Sequence, residues 1–262
     1  MRSRTTRIGL LFLFSAAVTG VTGAALADDT SRAGGTFLLS MGELQVGNVR
    51  ATMAPEQPKP SAPNLVMATT DITPGVIVIV DRFVSGRPLA TNLHLSTGAI
   101  VKKADRAKLT TVRLPSMGAG GAAEIELGFL APSITTQPVL SLKQASAKTP
   151  AGTRIDTFRV DVSGMAPVTA SKLDAIQLAQ KEGTGVLPTA EVAFEVGAGG
   201  APPFTAWSKK KDPRSFGVEY VGADGAALLK VKLESCTPSS VTPLGASGTT
   251  RIVARCATAK PG

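Results

Sequence analysis

Among 262 residues there are one His and two Cys. A zinc site takes three or four ligands drawn mostly from His, Cys and carboxylates, and the nucleophile–base pairs of hydrolases generally use a His. His94 stands in Thr91-Asn92-Leu93-His94-Leu95. Strand alternation sets it opposite Leu93 and Leu95, on a solvent-facing side, where nothing marks a nucleophile activated by it. Gly118 to Ala123 satisfies a relaxed G-x-G-x-x-[GA] pattern, but a strand-like stretch from Glu124 to Leu130 follows where a dinucleotide site needs a helix. Gly245-Ala246-Ser247-Gly248 departs from the nucleophile elbow G-x-S-x-G because Thr249 takes the last place. Glu124 and Glu126 share a strand face, about 7 Å apart. Glycosidases pair carboxylates in this way but also need aromatic sugar platforms, and the chain holds only nine Phe, one Trp and one Tyr. The expectation is a chain with no catalytic residue, no metal site and no cofactor.

Two further sets of residues carry meaning. Cys236 and Cys256 form an even pair. Trp207 precedes Lys209-Lys210-Lys211, the one dense basic run. The Trp is expected as a core anchor. The alternative is a stacking platform, which would make Trp207, Lys209, Lys210 and Lys211 a binding loop. Nucleic-acid binders concentrate basic charge on one face and interleave aromatics. Here the other Lys and Arg are scattered, so nucleic acid is not an expected partner.

The N-terminus supplies the compartment. Arg2, Arg4 and Arg7 precede an apolar run from Ile8 to Val18, and Ala25-Leu26-Ala27 is an A-x-A cleavage signal. This is the pattern of a secretory signal peptide over residues 1–27, too short in its apolar core to span a bilayer. Loss of three Arg takes the formal charge from +9 to +6. Periplasmic or extracellular export makes a Cys236–Cys256 disulfide the natural state of the pair. No membrane span is expected once the signal is removed.

The elements that would position these residues are strands. Charged residues make up 18 % of the chain, and Gly and Pro number 27 and 18. Such a turn-rich, charge-poor composition points to a mainly β protein. Residues 54–64 (APEQPKPSAPN) read as an extended loop, and residues 144–154 (QASAKTPAGTR) as a boundary. Cutting there yields a first module, 28–145, and a second, 146–262. Thr36-Phe37 and Thr157-Phe158 open similar strands. Residues 100–114 and 218–233 both read as strand–turn–strand, the latter around Asp224-Gly225, a hairpin signal of type I′. Residues 123–130 and 250–257 close each half with alternating strands. Residues 170–180 are expected as one strand. The apolar run Gly75 to Phe83 is expected as a central strand, and Pro203 to Lys211 as the one short helix. The fold class is therefore two related β-barrel or β-sandwich modules, a duplication.

The second half, Phe158 to Ala257, resembles the tail-tube family of phages and related contractile systems. The resemblance lies in FRVDVSGM from Phe158, SKLDAIQLAQK from Ser171, FTAWSKK from Phe204 and VEYVGADGAALLKVKLESCTPSS from Val218. The first half is similar more loosely, through FLLSMGELQVGNVRATM from Phe37 and KLTTVRLPSMGAGGAAEIELGFLAP from Lys108. It implies a compact β-barrel or sandwich with a short helix, rings that stack through strands and loops, and neither an enzymatic site nor a cofactor. The export signal and the Cys pair depart from that family, whose members assemble in the cytoplasm. Two functions are expected from these features. One is an exported structural protein that self-assembles through β edges, three two-module copies mimicking a six-module ring. The other is a monomeric exported module that binds a glycan or another cell-surface ligand.

Overall fold

The computed structural model describes residues 35–42, 44–53, 64–87, 90–96, 100–118, 124–138, 155–181, 185–188, 191–245 and 248–262. The expected signal peptide and the boundary segment 144–154 lie outside them, as do residues 119–123, 246 and 247 of the two glycine-rich motifs. The first barrel begins as a meander of β1 (Gly35–Met41), β2 (Leu44–Met53) and β3 (Asn64–Asp71). Helix α1 (Pro74–Val84) follows, then a second meander of β4 (Ala90–Ser96), β5 (Ile100–Arg113) and β6 (Glu124–Ala131). Pairing of β3 with β6 and of β1 with β4 closes six strands into a barrel. β7 (Ser133–Pro138) continues the line of β6 along the other half of β5.

After β8 (Ile155–Val162) and β9 (Val168–Leu173) comes a hairpin of β10 (Gln177–Lys181) and β11 (Gly185–Pro188). Then follow β12 (Val192–Gly197), a short 3-10 turn (Ala198–Gly200), α2 (Ala201–Lys210), β13 (Arg214–Gly222), β14 (Ala227–Leu244), β15 (Thr249–Arg255) and β16 (Thr258–Pro261). β8, β9, β12, β15, β14 and β13 close a second six-stranded barrel, and β16 extends β15 along β14.

The two barrels share their strand order, the place of their helix between third and fourth strands, and their irregularities. In barrel 1 the β4–β5 register shifts between Thr91 and Leu93, and in barrel 2 the β13–β14 register shifts between Arg214 and Phe216. Each fifth strand carries one left-handed residue there, Arg106 at φ 50° and Ser235 at φ 52°. An extra residue on one strand is a β-bulge, and its recurrence at one place marks equivalent positions. Extending the ladders by one pair sets Cys236 opposite Cys256 and, in barrel 1, Ala107 opposite Ala131. The cysteines form a disulfide, closing a separation of 20 residues that the chain-entropy view values at about 3 kcal/mol. The two alanines, buried at 0 %, fill the same place without a crosslink.

Four expectations change. Residues 75–83 are not a central strand but most of α1, so the described residues hold two α-helices rather than one. Thr73 caps α1: its hydroxyl accepts from the Val76 N–H (3.2 Å) and donates to the Val46 carbonyl (2.6 Å). Pro74 opens the first turn, and Val76, Ile79, Val80 and Phe83 share the buried face at helical spacing. A Cβ at Gly75 would stand 2.5 Å from the Gln45 carbonyl oxygen, so only glycine lets the helix lie this close to β2. Residues 100–114 are not strand–turn–strand: β5 runs unbroken through its bulge and corresponds to β14 alone, while β13 corresponds to β4. Residues 170–180 split into β9 and β10, which pair in different sheets. The Asp224-Gly225 hairpin forms, but only Gly225 has positive φ (79°), so the turn is not type I′. The Gly222 N–H donates to the Ala226 carbonyl and Asp224 Oδ1 accepts from the Ala226 N–H, a three-residue loop.

Candidate functional site

Barrel 2 contributes its β10–β11 hairpin to barrel 1. From β9 onward the chain runs antiparallel to the end of β5: Leu173 bridges Met117, Gln177 pairs with Arg113, Leu178 with Val112 and Ala179 with Thr111. The Leu114 N–H donates to the Ile176 carbonyl at 2.8 Å. Val112, Leu114 and Leu178 are fully buried in this joint. The Tyr220 hydroxyl of barrel 2 donates to the Pro115 carbonyl of barrel 1 at 3.1 Å. Burial pushes the Tyr220 phenol well above its ordinary range, so it stays a neutral donor. At the pivot, Arg251 pairs with Asp174 and lies 3.5 Å from Glu195, and Lys172 reaches Glu195 at 3.5 Å. These four charges hold the root of the hairpin against barrel 2.

A polar recess of about 170 Å³ lies beside the joint, lined by Arg113, Pro115, Ser116, Glu124, Glu126 and Ala175 among others. Glu126 accepts from Arg113 at 2.6 Å and Glu124 from Arg50. Each carboxylate of the candidate pair is thus engaged by its own arginine on the outer barrel face.

A wider groove of about 360 Å³ crosses the outside of barrel 2 between Asp161, Ser163, Ser215, Gly217, Lys230 and Lys232. The shared bulge aligns Gly217 with His94 of barrel 1. His94 is half-buried between strands whose Leu93 and Leu95 point inward at 0 % exposure, as alternation predicts. Its Nε2 is buried without a hydrogen-bond partner.

Trp207 is in the core, 1 % exposed, and its indole N–H donates to the Asp212 carbonyl at 2.7 Å. It packs with Phe204, which meets Phe194 edge-on at 5.4 Å, and Phe194 stacks on Phe216 at 5.2 Å. Lys209, Lys210 and Lys211 are exposed at the end of α2. The structure therefore parts the expected binding set, ring inward and ammonium groups outward. The expected Cys236–Cys256 bond is present. Among the described residues, no three His, Cys, Asp or Glu side chains stand together as metal ligands. No helix among them is long and apolar enough to cross a membrane. The joint between barrels escaped the sequence reading; its one signal is the break Asp174-Ala175 inside an otherwise strand-like run. The chain matches no protein-family model and no curated protein.

Proposed function

We propose that this is a non-enzymatic, exported structural protein with a tail-tube-like fold, whose copies associate through β edges. The observation that carries this reading is the joint itself: within one chain, two barrels of the same topology are already joined by main-chain strand addition. Strand addition draws affinity from unpaired N–H and C=O groups and needs no special side chains, which suits a chain so poor in chemically active residues. The disulfide fits an oxidising compartment. Light scattering and electron microscopy of residues 28–262 test the proposal. A uniform multimer is expected; a strict monomer at the highest soluble concentration would refute it.

A further inference from the structure

The duplication supplies an internal reference for the groove on the outside of barrel 2. Across that face, Gly217 of β13 stands between Asp161 of β8 and Lys232 of β14. The equivalent row of barrel 1 is Ser40, His94 and Lys103, on β1, β4 and β5. There the half-buried imidazole of His94 takes the middle place. In barrel 2 the middle residue has no side chain, and the groove of about 360 Å³ opens over it. Neither conformation nor crowding calls for glycine at this point. Gly217 does not have a positive φ, and a Cβ on it would come only within 3.7 Å of the Asp161 Cβ and carbonyl oxygen, an ordinary contact. Glycine weakens a strand interior and often marks a place where a ligand comes close to the main chain.

The polar groups around this floor are left for a ligand. Among the described residues, neither Asp161 nor Lys230 has an ion-pair partner, and the hydroxyls of Ser163 and Ser215 make no hydrogen bond. Lys232 lies 3.8 Å from Glu234, whose other carboxylate oxygen is held by Lys260 at 2.7 Å. Asp161 and Lys232 stand two strand spacings apart, roughly 10 Å between their backbones, which leaves room for one six-membered ring with its substituents. A carboxylate only accepts hydrogen bonds, an ammonium only donates them, and a serine hydroxyl does both. A ligand rich in hydroxyls satisfies all three kinds at once. An anion would be drawn to the lysines but would face Asp161, and a cation would meet the reverse conflict. The volume lies in the range of small-molecule sites, about 300–1,000 Å³.

We propose that this groove binds a neutral saccharide. Its hydroxyls donate to Asp161 and accept from Lys230 and Lys232, and one sugar ring lies over Gly217, in the place that His94 takes in barrel 1. The groove is on the outer sheet face, apart from the β edges invoked for self-association, so the two proposals stand or fall separately. No aromatic ring lines the groove, so affinity for a single sugar unit is expected on the order of millimolar.

The test is saturation-transfer NMR on the exported full chain with the methyl glycosides of glucose, galactose, mannose and N-acetylglucosamine, each at about 10 mM. Barrel 1 supplies the blocking variant, because Gly217→His installs the side chain found at the equivalent position there. At least one glycoside is expected to receive saturation from the native protein, and Gly217→His is expected to weaken its binding by about tenfold or more. Asp161→Ala and Lys230→Met, both at exposed positions, each remove a hydrogen bond to a charged group and are expected to weaken binding about tenfold. They decide the matter if a thermal melt shows that Gly217→His does not fold. No saturation of any of the four glycosides by the native protein overturns the inference. Binding that is unchanged in a folded Gly217→His protein, or in both Asp161→Ala and Lys230→Met, overturns it by placing the sugar elsewhere. Displacement of the glycoside by an equal concentration of inorganic phosphate overturns it as well, because the groove would then be an anion site.

Discussion

Replacing Trp207 by Ala removes the largest fully buried side chain of barrel 2 together with the indole bond to Asp212. The expected loss is about 3–5 kcal/mol of unfolding free energy, read from chemical denaturation, because the ring fills a cluster with Phe204 that cannot close over the cavity. Replacing Lys209, Lys210 and Lys211, all exposed, leaves that value nearly unchanged. The contrast separates a core anchor from a surface platform. Scarcity of aromatics already favoured the anchor, since a chain with one Trp has few other ways to fill a space of that size. For His94 alternation gave the inward neighbours Leu93 and Leu95 but not the ring itself, which was expected on an exposed face and is half-buried with its Nε2 covered. Cys236 and Cys256 were legible as a pair because they are the only cysteines. What no residue type disclosed was that their counterparts in barrel 1 are Ala107 and Ala131, since that equivalence lives in the register of two ladders.

The local signals for α1 were present: Thr73 and Pro74 at its start, Gly86 with φ 69° just past its end, and apolar residues at helical spacing between. They were outweighed by β-branched composition, because Val-Ile-Val-Ile-Val reads equally well as a buried strand. Burial of a single face at helical spacing, with Val78 left exposed on the other side, decided against the strand. The cap makes a sharp test. Thr73→Ala removes a bond to Val76 and strands the Val46 carbonyl, for an expected cost of about 2 kcal/mol. Thr73→Ser keeps the hydroxyl and retains most of the stability in the same guanidinium unfolding measurement. For α2 the sequence and the structure agree closely, with Pro202 and Pro203 in the first turn and Lys211 ending the helix in a left-handed conformation. β5 differs from expectation because a bulge at Arg106 absorbs the irregularity that a turn was expected to explain.

At the scale of the molecule, the joint links the barrels through hydrogen bonds that titration can reach. A buried phenol whose pKa is raised in the folded state favours the protonated form, so its contribution is fully present below the ordinary tyrosine value of about 10 and declines as pH rises beyond it. The melting temperature of the native protein is therefore expected to fall more steeply above pH 10 than that of Tyr220→Phe. At pH 7 the variant is the less stable of the two, by about 1–3 kcal/mol, because the Pro115 carbonyl loses its buried donor. Equal alkaline slopes in the two proteins would show that Tyr220 is not buried against Pro115. The same joint gives the chain a direction, with a donating barrel and an accepting one, which a duplication of identical modules would lack.

The class of fold, the paired cysteines, the second helix and the presence of two similar halves were all written in local patterns: alternation, turn residues, caps and composition. Alternation, turns and caps depend on residues a few positions apart, and the cysteine pair and the two halves on matching residue types, so all are read directly along the chain. Only the tertiary structure decided that Val76 to Phe83 coil as a helix over β2, that β5 passes through its bulge, and that Gln177 to Lys181 leave their own barrel to complete the other. These outcomes turn on which distant strand offers an unpaired edge and which apolar surface remains to be covered. Such partners are brought together by closing both barrels, so their effect on a segment cannot be read from that segment alone.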